Sequence, residues 1–427
     1  MREEKYEVLH EKSEVVLRAG RLALSAGLGS FRVRQIMQTV ANALGIKNTS
    51  LVTLTEITST CHSGTQCITE VASNASIGVD ANRISLISEM IYDLRKKLIT
   101  HEVHCINERL DVIERSKRLY NSLTFGLWAG LACFSFTILL GGDYLEGLGA
   151  LLGAFAGQYF RAALFKRLYN QFVANGLSVI LAGFIYASFY TVLNELSLWQ
   201  HPGSAGYVGA LLYVIPGFPL VTGGLDFAKL DFSSGISRTI YSWVIIFLAT
   251  VVAWVCAKTI GYTPADLKSP YDGNITIWLI LVFCLSFTGV LGFALMFNSP
   301  IRVAFTAASI GAVCNTFRFA LLDVGVLGFV AAVYASFLVG LIASLVCHYF
   351  RFARITISVP AITIMVPGSL IFHGFFDLGE DNLGSAAHYI VKAVLVIFAL
   401  PIGLAAARFL TDKYWRVDKQ VISNRPV

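Results

Sequence analysis

From residue 120 onward, hydrophobic positions gather into ten long stretches separated by short polar links. Each stretch is close to the roughly 20 residues that a helix needs to cross about 30 Å of hydrocarbon. The pattern predicts spans at approximately 121–140, 145–165, 172–194, 205–225, 236–259, 274–296, 302–322, 324–347, 357–378 and 387–411. We therefore expect an α-helical polytopic membrane protein.

The first 119 residues follow another pattern, with helical and alternating periodicities and many charges. Apolar residues at helical spacing and residues that favour helix caps mark the helices, whereas runs rich in Val, Thr and Ile mark the strands. We expect helices at 14–27, 30–45, 81–98 and 101–117, N-caps at Ser30 and Asp80, and strands at 50–62 and 65–73. This region is predicted to be a small cytoplasmic α+β domain.

Charge separates the same two regions. Residues 1–119 hold 16 of the 33 Lys and Arg side chains and 14 of the 27 Asp and Glu side chains. We expect a front domain at 1–119, membrane repeats at 120–270 and 271–411, and a basic cytoplasmic tail at 412–427.

The loops between the predicted spans carry unequal numbers of cations. Cytoplasmic loops of membrane proteins are enriched in Lys and Arg. With the front domain in the cytoplasm, the inner ends carry Arg161, Lys166, Arg167, Lys229, Arg238, Arg302, Arg351 and Arg354, and the outer ends carry Lys258, Lys268 and Arg318. The excess predicts that both termini are cytoplasmic.

Two sequence matches relate the halves of the membrane region. "PGFPLVTGGLD" (216–226) and "PGSLIFHGFFD" (367–377) share PG-x5-G-x2-D, and "GQYFRAALF" (157–165) resembles "CNTFRFALL" (314–322). The matches fall in spans four and nine and in spans two and seven. Five spans per half force the halves into opposite orientations, which predicts a 5+5 inverted repeat of the kind found in secondary transporters.

The repeated Pro-Gly pairs are expected to break their helices. Pro216 and Pro367 each remove a backbone hydrogen bond, and Gly217 and Gly368 loosen the turn that follows. Since backbone groups freed in lipid need partners, matched breaks in two halves point to a transport site. A half-helix N-terminus there could face a substrate carboxylate.

Acidic and polar residues follow each break. Asp226 and Asp377 stand near opposite membrane faces, and Thr222 and His373 precede them by one helical turn. An Asp with a nearby His could carry protons or gate the pathway, and the alternative is a solvated helix end.

Other residues complete the candidate set. Gly223, Gly374 and Asn315 are further candidates for lining the substrate site, and Arg161, Arg318 and Lys392 are candidates for gating or proton coupling. Anchoring at the membrane interface is an alternative role for the two arginines, and snorkelling to the surface is one for Lys392. Glycines at 149, 153 and 157 predict close helix packing.

Several functions are not indicated. "CHSGTQC" (61–67) and "HEVHC" (101–105) do not have the spacing of metal sites, and the chain contains no phosphate-binding loop motif. The net charge of +6 lies mostly at membrane edges, so nucleic-acid binding is not predicted. We expect no catalytic residues, no metal and no cofactor.

One segment, "GLGSFRVRQIMQTVANALGI" (27–46), resembles the front-domain signature of the bacterial threonine/serine exporter family. The ten spans with a Pro-Gly helix in each half resemble the membrane region of that family. The resemblance implies efflux of small hydroxy amino acids across the inner membrane, linked to the proton-motive force. It implies amino-acid substrate, protons and lipid as partners, and a homo-oligomer is left open.

Two other interpretations remain. The same broken helices would serve a carrier or channel for another small metabolite, such as a carboxylate. A membrane-anchored enzyme with a hydrolase-like front domain, an activity suspected in the family, is the third. Repeated helix breaks argue against it, because an anchor has no use for them.

Overall fold

The computed structural model describes residues 2–74, 78–197, 204–261, 274–350 and 352–416. These residues are mostly helical, with a small three-stranded sheet near the N-terminus. Lys268, Arg351 and most of the basic tail lie outside the described residues.

The N-terminal region consists of four helices and the sheet. Its elements are α1 (Arg2–Ser25), α2 (Ser30–Ala43), β1 (Lys47–Val52), β2 (Glu56–Ser63), β3 (Gln66–Ser73), α3 (Ala81–Arg95) and α4 (Val103–Glu114). The strands are antiparallel in the order β1-β2-β3, and Lys47 is paired with His62 and Glu56 with Ser73. The α+β character predicted for this region is confirmed.

The strand predicted at 50–62 is wrong, because β1 and β2 divide it at a turn. The Thr53 N–H donates to the Glu56 carbonyl at 2.8 Å, and the Thr53 hydroxyl accepts from the Glu56 N–H at 3.0 Å. A threonine hydroxyl can close a turn in this way, and the Thr- and Ile-rich composition hides it.

The predicted N-caps have different outcomes. Asp80 caps α3, since its side chain accepts from the Arg83 N–H at 3.1 Å. Ser30 does not cap α2, because Gly29 occupies the N-cap position without a side-chain bond. The Ser30 hydroxyl instead donates to Asp231, a residue of the membrane region.

The described residues of the membrane region form eight helices long and apolar enough to span a membrane, or up to ten if each of two bent helix pairs is one span. The elements are α5 (Ser122–Leu139), α6 (Tyr144–Lys166), α7 (Gln171–Glu195), α8 (Ser204–Leu211) with a 3-10 turn (Leu212–Val214), α9 (Gly217–Ala228), α10 (Phe232–Thr259), α11 (Ile275–Met296), α12 (Ile301–Asp323), α13 (Gly328–Phe350), α14 (Arg354–Thr363), α15 (Gly368–Gly379), α16 (Leu383–Thr411) and α17 (Lys413–Arg416). These bounds agree with the ten predicted stretches to within a few residues.

Helices of the two halves have matching lengths. The helices α6 and α12 both have 23 residues and start 157 positions apart, and α9 and α15 both have 12 residues and start 151 positions apart. The turns that follow α9 and α15 also match, because Leu230 and Asp381 adopt φ of 60° and 61°.

The half-helices α9 and α15 run in opposite directions. The end of α9 lies beside the N-terminal region, where Lys229 Nζ stands 4.5 Å from the ring centroid of Phe31. The end of α15 lies at the far end of α10, where Glu380 pairs with Lys258 at 2.6 Å. Phe31 also contacts Trp415 of α17 at 6.2 Å between ring centroids, so the N-terminal region and residue 415 share one face.

The glycines of α6 allow close helix packing, as predicted. A Cβ atom added at Gly153 would lie 2.8 Å from the carbonyl oxygen of Ala182 in α7. One added at Gly149 would lie 2.9 Å from the Phe189 ring.

We predict that Gly153→Val destabilises the protein by about 1–3 kcal/mol, because a backbone carbonyl leaves the new side chain no space. Thermal unfolding in detergent measures the effect. Gly384→Val is the matched control, since a Cβ atom at Gly384 meets nothing within 4 Å. Equal melting temperatures for the two variants would contradict the packing described for α6.

Candidate functional site

The two Pro-Gly pairs interrupt their helices as the sequence predicts. The α8 and α9 axes are bent by 63°, and those of α14 and α15 by 49°. Pro216 (φ −80°, ψ 64°) and Pro367 (φ −82°, ψ 54°) are the N-caps of the second half-helices. The Gly217 N–H donates to the Ile215 carbonyl at 2.8 Å, and Gly368 makes the equivalent bond. Each proline is thus the centre of an inverse γ-turn.

The two breaks pack against each other reciprocally. A Cβ atom at Gly217 would lie 3.5 Å from Cγ2 of Val366, which precedes Pro367. A Cβ atom at Gly368 would lie 2.5 Å from Cδ1 of Ile215, which precedes Pro216. Each glycine therefore faces the residue before the other proline, so the two half-helix N-termini converge in the interior of the membrane region.

Polar backbone is concentrated at this crossing. The first N–H groups of any helix have no partner within the helix, and the dipole makes that end positive. Here two such ends meet among buried residues, with the hydroxyls of Thr363 and Ser369 close to the second break. Such an arrangement favours a carboxylate as ligand.

Asp226 lies in a buried ion pair. Its Oδ2 is 3.2 Å from Nε of Arg238, and both side chains are almost fully buried. Nη1 of Arg238 also donates to the Thr222 hydroxyl at 3.5 Å. One guanidinium therefore contacts both Thr222 and Asp226, which lie one helical turn apart.

The N-terminal region covers this end of the membrane region. Ser30 and Arg34 of α2 both contact Asp231, the N-cap of α10, and the Arg34 pair measures 2.8 Å. Arg238 donates to the Leu28 carbonyl at 2.7 Å, and Ser234 donates to the Val52 carbonyl at 2.6 Å. Asp226 is therefore enclosed beneath the N-terminal region in this structure.

Asp377 has a more open environment. It is half-buried and accepts a hydrogen bond from the Ser385 hydroxyl at 2.5 Å. His373 is buried and lies 5.4 Å from the Tyr389 ring between centroids. Nearby Glu380 is bonded to Lys258 and Trp254, and these bonds hold the pKa of its carboxyl below the usual value.

Gly223 and Gly374 are packing positions. A Cβ atom at Gly223 would lie 3.2 Å from Cβ of Arg238, and one at Gly374 would lie 2.6 Å from the Ile390 side chain. They lie one to two turns inside their half-helices rather than at the breaks.

The remaining predicted residues lie on the long helices α6, α12 and α16. Asn315 donates to Ser286 at 2.8 Å and accepts from Arg318 at 3.5 Å. Arg161 makes a similar contact with Gln158 at 3.4 Å. Lys392 is exposed.

Sequence reasoning overlooked the surface contact of His10, Glu14 and Glu70. One ligand atom from each lies within 4.8 Å of the others, so these residues could hold a metal ion. No periodic signal marks the contact, because α1 and β3 supply the residues from distant parts of the chain. His10 and Glu14 are exposed, and exposed acidic groups commonly cluster without a metal.

Comparison with known families gives two matches. The model of the family described as "Putative threonine/serine exporter" matches residues 14–260, more than half of the chain. A second model, "Threonine/Serine exporter, ThrE", matches residues 282–410. This chain belongs to the threonine/serine exporter family. The family resemblance of the α2 signature and of the membrane helices is thereby confirmed.

Curated relatives of this exporter-family chain are distant. It is 22% identical over 253 residues to a protein of Escherichia coli (strain K12) named "Probable succinate transporter subunit YjjP", which covers 58% of this chain and 94% of the relative. The protein of the same name from Klebsiella aerogenes is 21% identical over 240 residues, with 55% and 88% covered. No solved structure matches significantly.

We predict that Asp226→Ala destabilises the protein by about 3–5 kcal/mol, since it leaves Arg238 charged and unpaired in a buried site. Asp377→Ala should cost only about 1 kcal/mol, the loss of one hydrogen bond. Thermal unfolding of the two variants is the measurement.

The double variant Asp226→Ala/Arg238→Met tests whether the unpaired charge of Arg238 causes this loss of stability. It should recover part of the lost stability, because the unpaired charge is removed as well. An additive, still larger loss would show that the ion pair does not account for the cost.

Proposed function

We propose that this protein exports small hydroxy amino acids, threonine or serine, across the bacterial inner membrane by alternating access. The reciprocal crossing of the two Pro-Gly breaks is the observation that carries this proposal. Discontinuous helices that meet in matched positions are typical of substrate sites in secondary transporters. Family membership supports an exporter.

The substrate site of this proposal lies at the crossing. The converging N-termini of α9 and α15 bind the substrate carboxylate, and the carbonyls freed before Pro216 and Pro367 receive its ammonium group. Gly217 and Gly368 allow the backbone to approach the ligand closely. Thr222, Gly223, His373, Gly374 and Asn315 are second candidates along the path.

The membrane region is proposed to be a 5+5 inverted repeat. Matching helix lengths, the two offsets of 151 and 157 residues, and the opposite directions of α9 and α15 support it. We place the front domain at 1–119, the repeats at 120–270 and 271–411, and the tail at 412–427. Both termini are assigned to the cytoplasm, which agrees with the contact of Phe31 with Trp415.

Proton coupling is assigned to the outer end. Asp377 is half-buried, so water can reach its carboxylate, and the buried His373 lies one turn before it. Asp226 is assigned a gating role at the inner end, because it forms a buried ion pair with Arg238. Arg161, Arg318 and Lys392 contribute cations near the ends of the spans.

A small dicarboxylate is the second candidate substrate. Two relatives carry the name of a succinate transporter subunit, and converging helix N-termini suit any carboxylate. An enzyme that uses its helices only as an anchor is not favoured, since paired breaks contribute nothing to anchoring.

Counterflow in proteoliposomes tests the function. Labelled threonine, serine, succinate and an apolar amino acid are offered with and without a pH gradient. We expect exchange of threonine and serine, and a gradient should drive net transport. If only succinate is exchanged, the substrate is a dicarboxylate rather than a hydroxy amino acid. If no acid is exchanged, the transport proposal is overturned.

For coupling, Asp377→Asn should slow gradient-driven threonine transport at least about tenfold while leaving equilibrium exchange within about twofold, since an amide cannot carry a proton. Ser385→Ala, which removes only the partner hydroxyl, is the control. If Asp377→Asn pumps like the parent protein, Asp377 is not the coupling group.

A further inference from the structure

A cluster of polar side chains lies inside the first half of the membrane region, where α6, α7 and the 3-10 turn meet. Asn175 and Ser178 of α7 are fully buried, and Tyr213 of the 3-10 turn is 3% exposed. Arg161 of α6 lies close enough to act electrostatically on the Tyr213 hydroxyl. The mechanism proposed above uses none of the three buried residues.

Several of these groups lack hydrogen-bond partners within the described part of the chain. The amide nitrogen and oxygen of Asn175 and Nε of Arg161 are buried and unpaired there. The Tyr213 hydroxyl lies beside Ser178, whose hydroxyl can accept a hydrogen bond from it while donating to the Asn175 carbonyl at 2.8 Å. Leaving such groups buried and unpaired destabilises the protein, so a partner is expected in some state of the protein.

Helix packing brings the groups together. The helices α6 and α7 are antiparallel, since Gly149 approaches Tyr186 and Phe189, whereas Gly153 and Gly157 approach the earlier residue Ala182. One turn beyond Gly157, this register places Arg161 opposite the stretch of α7 that contains Asn175. A Cβ atom at Gly157 would overlap the Tyr213 hydroxyl, so Tyr213 is pressed directly onto α6.

The second half of the chain provides an internal comparison. At offsets of 157 and 151 residues, Asn175, Ser178 and Tyr213 correspond to Ala332, Ala335 and Ile364, which are all buried.

The corresponding place in the second half thus has an arginine too, Arg318, but apolar side chains at the positions of the other three groups. The amide and the two hydroxyls are not needed at that place, so their presence in the first half points to a ligand.

The charge of the cluster selects the ligand class. Within the described residues no carboxylate forms an ion pair with Arg161, and its polar neighbours include Tyr213, Tyr241 and Gln158. A guanidinium with amide and hydroxyl donors matches a carboxylate that carries a neighbouring polar group.

We propose that Arg161, Asn175 and Tyr213 form an inner binding site for the carboxylate end of the transported molecule. This inference rests on the proposed transport function and adds a second site to the crossing of the broken helices. Tyr213 lies three residues before Pro216, so movement at that break withdraws Tyr213 from Gly157 and admits the ligand. Arg161 pairs with the carboxylate, and Asn175 and Tyr213 bond its polar substituent.

Asn175→Ala is the central variant, because alanine is the residue that the second half has at this place. The proteoliposome assay measures the threonine concentration that gives half-maximal counterflow. We expect it to rise about fivefold, the effect of one lost hydrogen bond to a neutral polar group. The melting temperature of the variant should stay the same or rise, because an unpaired buried amide is removed. A purely structural role predicts the opposite, a lower melting temperature.

Ser309→Ala is the matched control, since it removes an exposed hydroxyl bonded only within its own helix. Arg161→Gln adds a test of ligand class. The purified parent protein should be stabilised against heat by threonine and not by threoninamide, which lacks the carboxylate. This distinction should disappear in Arg161→Gln.

The outcomes separate this inference from the proposed function. If the parent protein exchanges threonine and Asn175→Ala exchanges it equally well, the cluster holds only water and the inference is overturned. If the parent protein exchanges no acid, the transport proposal fails. Thermal stabilisation by threonine or succinate that depends on Asn175 and Arg161 would then still support the site, and its absence would overturn it.

Discussion

The architecture depends on the packing of two interrupted helices against each other inside the membrane region. Lipid offers no hydrogen bonds, so backbone groups released by Pro216 and Pro367 must be satisfied or enclosed by protein. The chain meets this constraint by placing Gly217 against the residue before Pro367 and Gly368 against the residue before Pro216. The polar ends of the half-helices are thereby confined to one interior location.

The two ends of the molecule differ although their helices correspond. Beside the N-terminal region, Asp226 is enclosed by Arg238 and by the segment from Leu28 to Arg34. At the far end, Asp377 remains half-buried beside Ser385. The α2 signature of the family thus has a structural role, because it joins the N-terminal region to α9 and α10. In the proposed transport cycle, opening the end beside the N-terminal region requires that this contact loosen or that the helices move beneath it.

Sequence patterns predict the membrane helices well, because the bilayer dictates their hydrophobic length. The breaks are predictable for a local reason, since proline removes a backbone hydrogen bond wherever it stands inside a helix. The pairing of Asp226 with Arg238 is not predictable in this way. A cation near the end of a span indicates the orientation of the chain in the membrane, but it does not identify the acidic residue that the cation contacts. Local pattern assigns Ser30 to a helix cap, whereas its partner Asp231 is 201 residues away. Long-range contacts of this kind leave no periodic signal, and neither does the turn at Thr53.

Distance measurements across the two faces test the central claim of alternating access most directly. Spin labels at Leu168 and Tyr349 report the face beside the N-terminal region, and labels at Leu196 and Val324 report the far face; all four side chains are strongly exposed. In a background with the eight native cysteines replaced, double electron–electron resonance is recorded with and without threonine and a low pH. Alternating access predicts that the distance between the two labels at one face lengthens as the distance between the two labels at the other face shortens. Unchanged distances at both faces under every condition would contradict it.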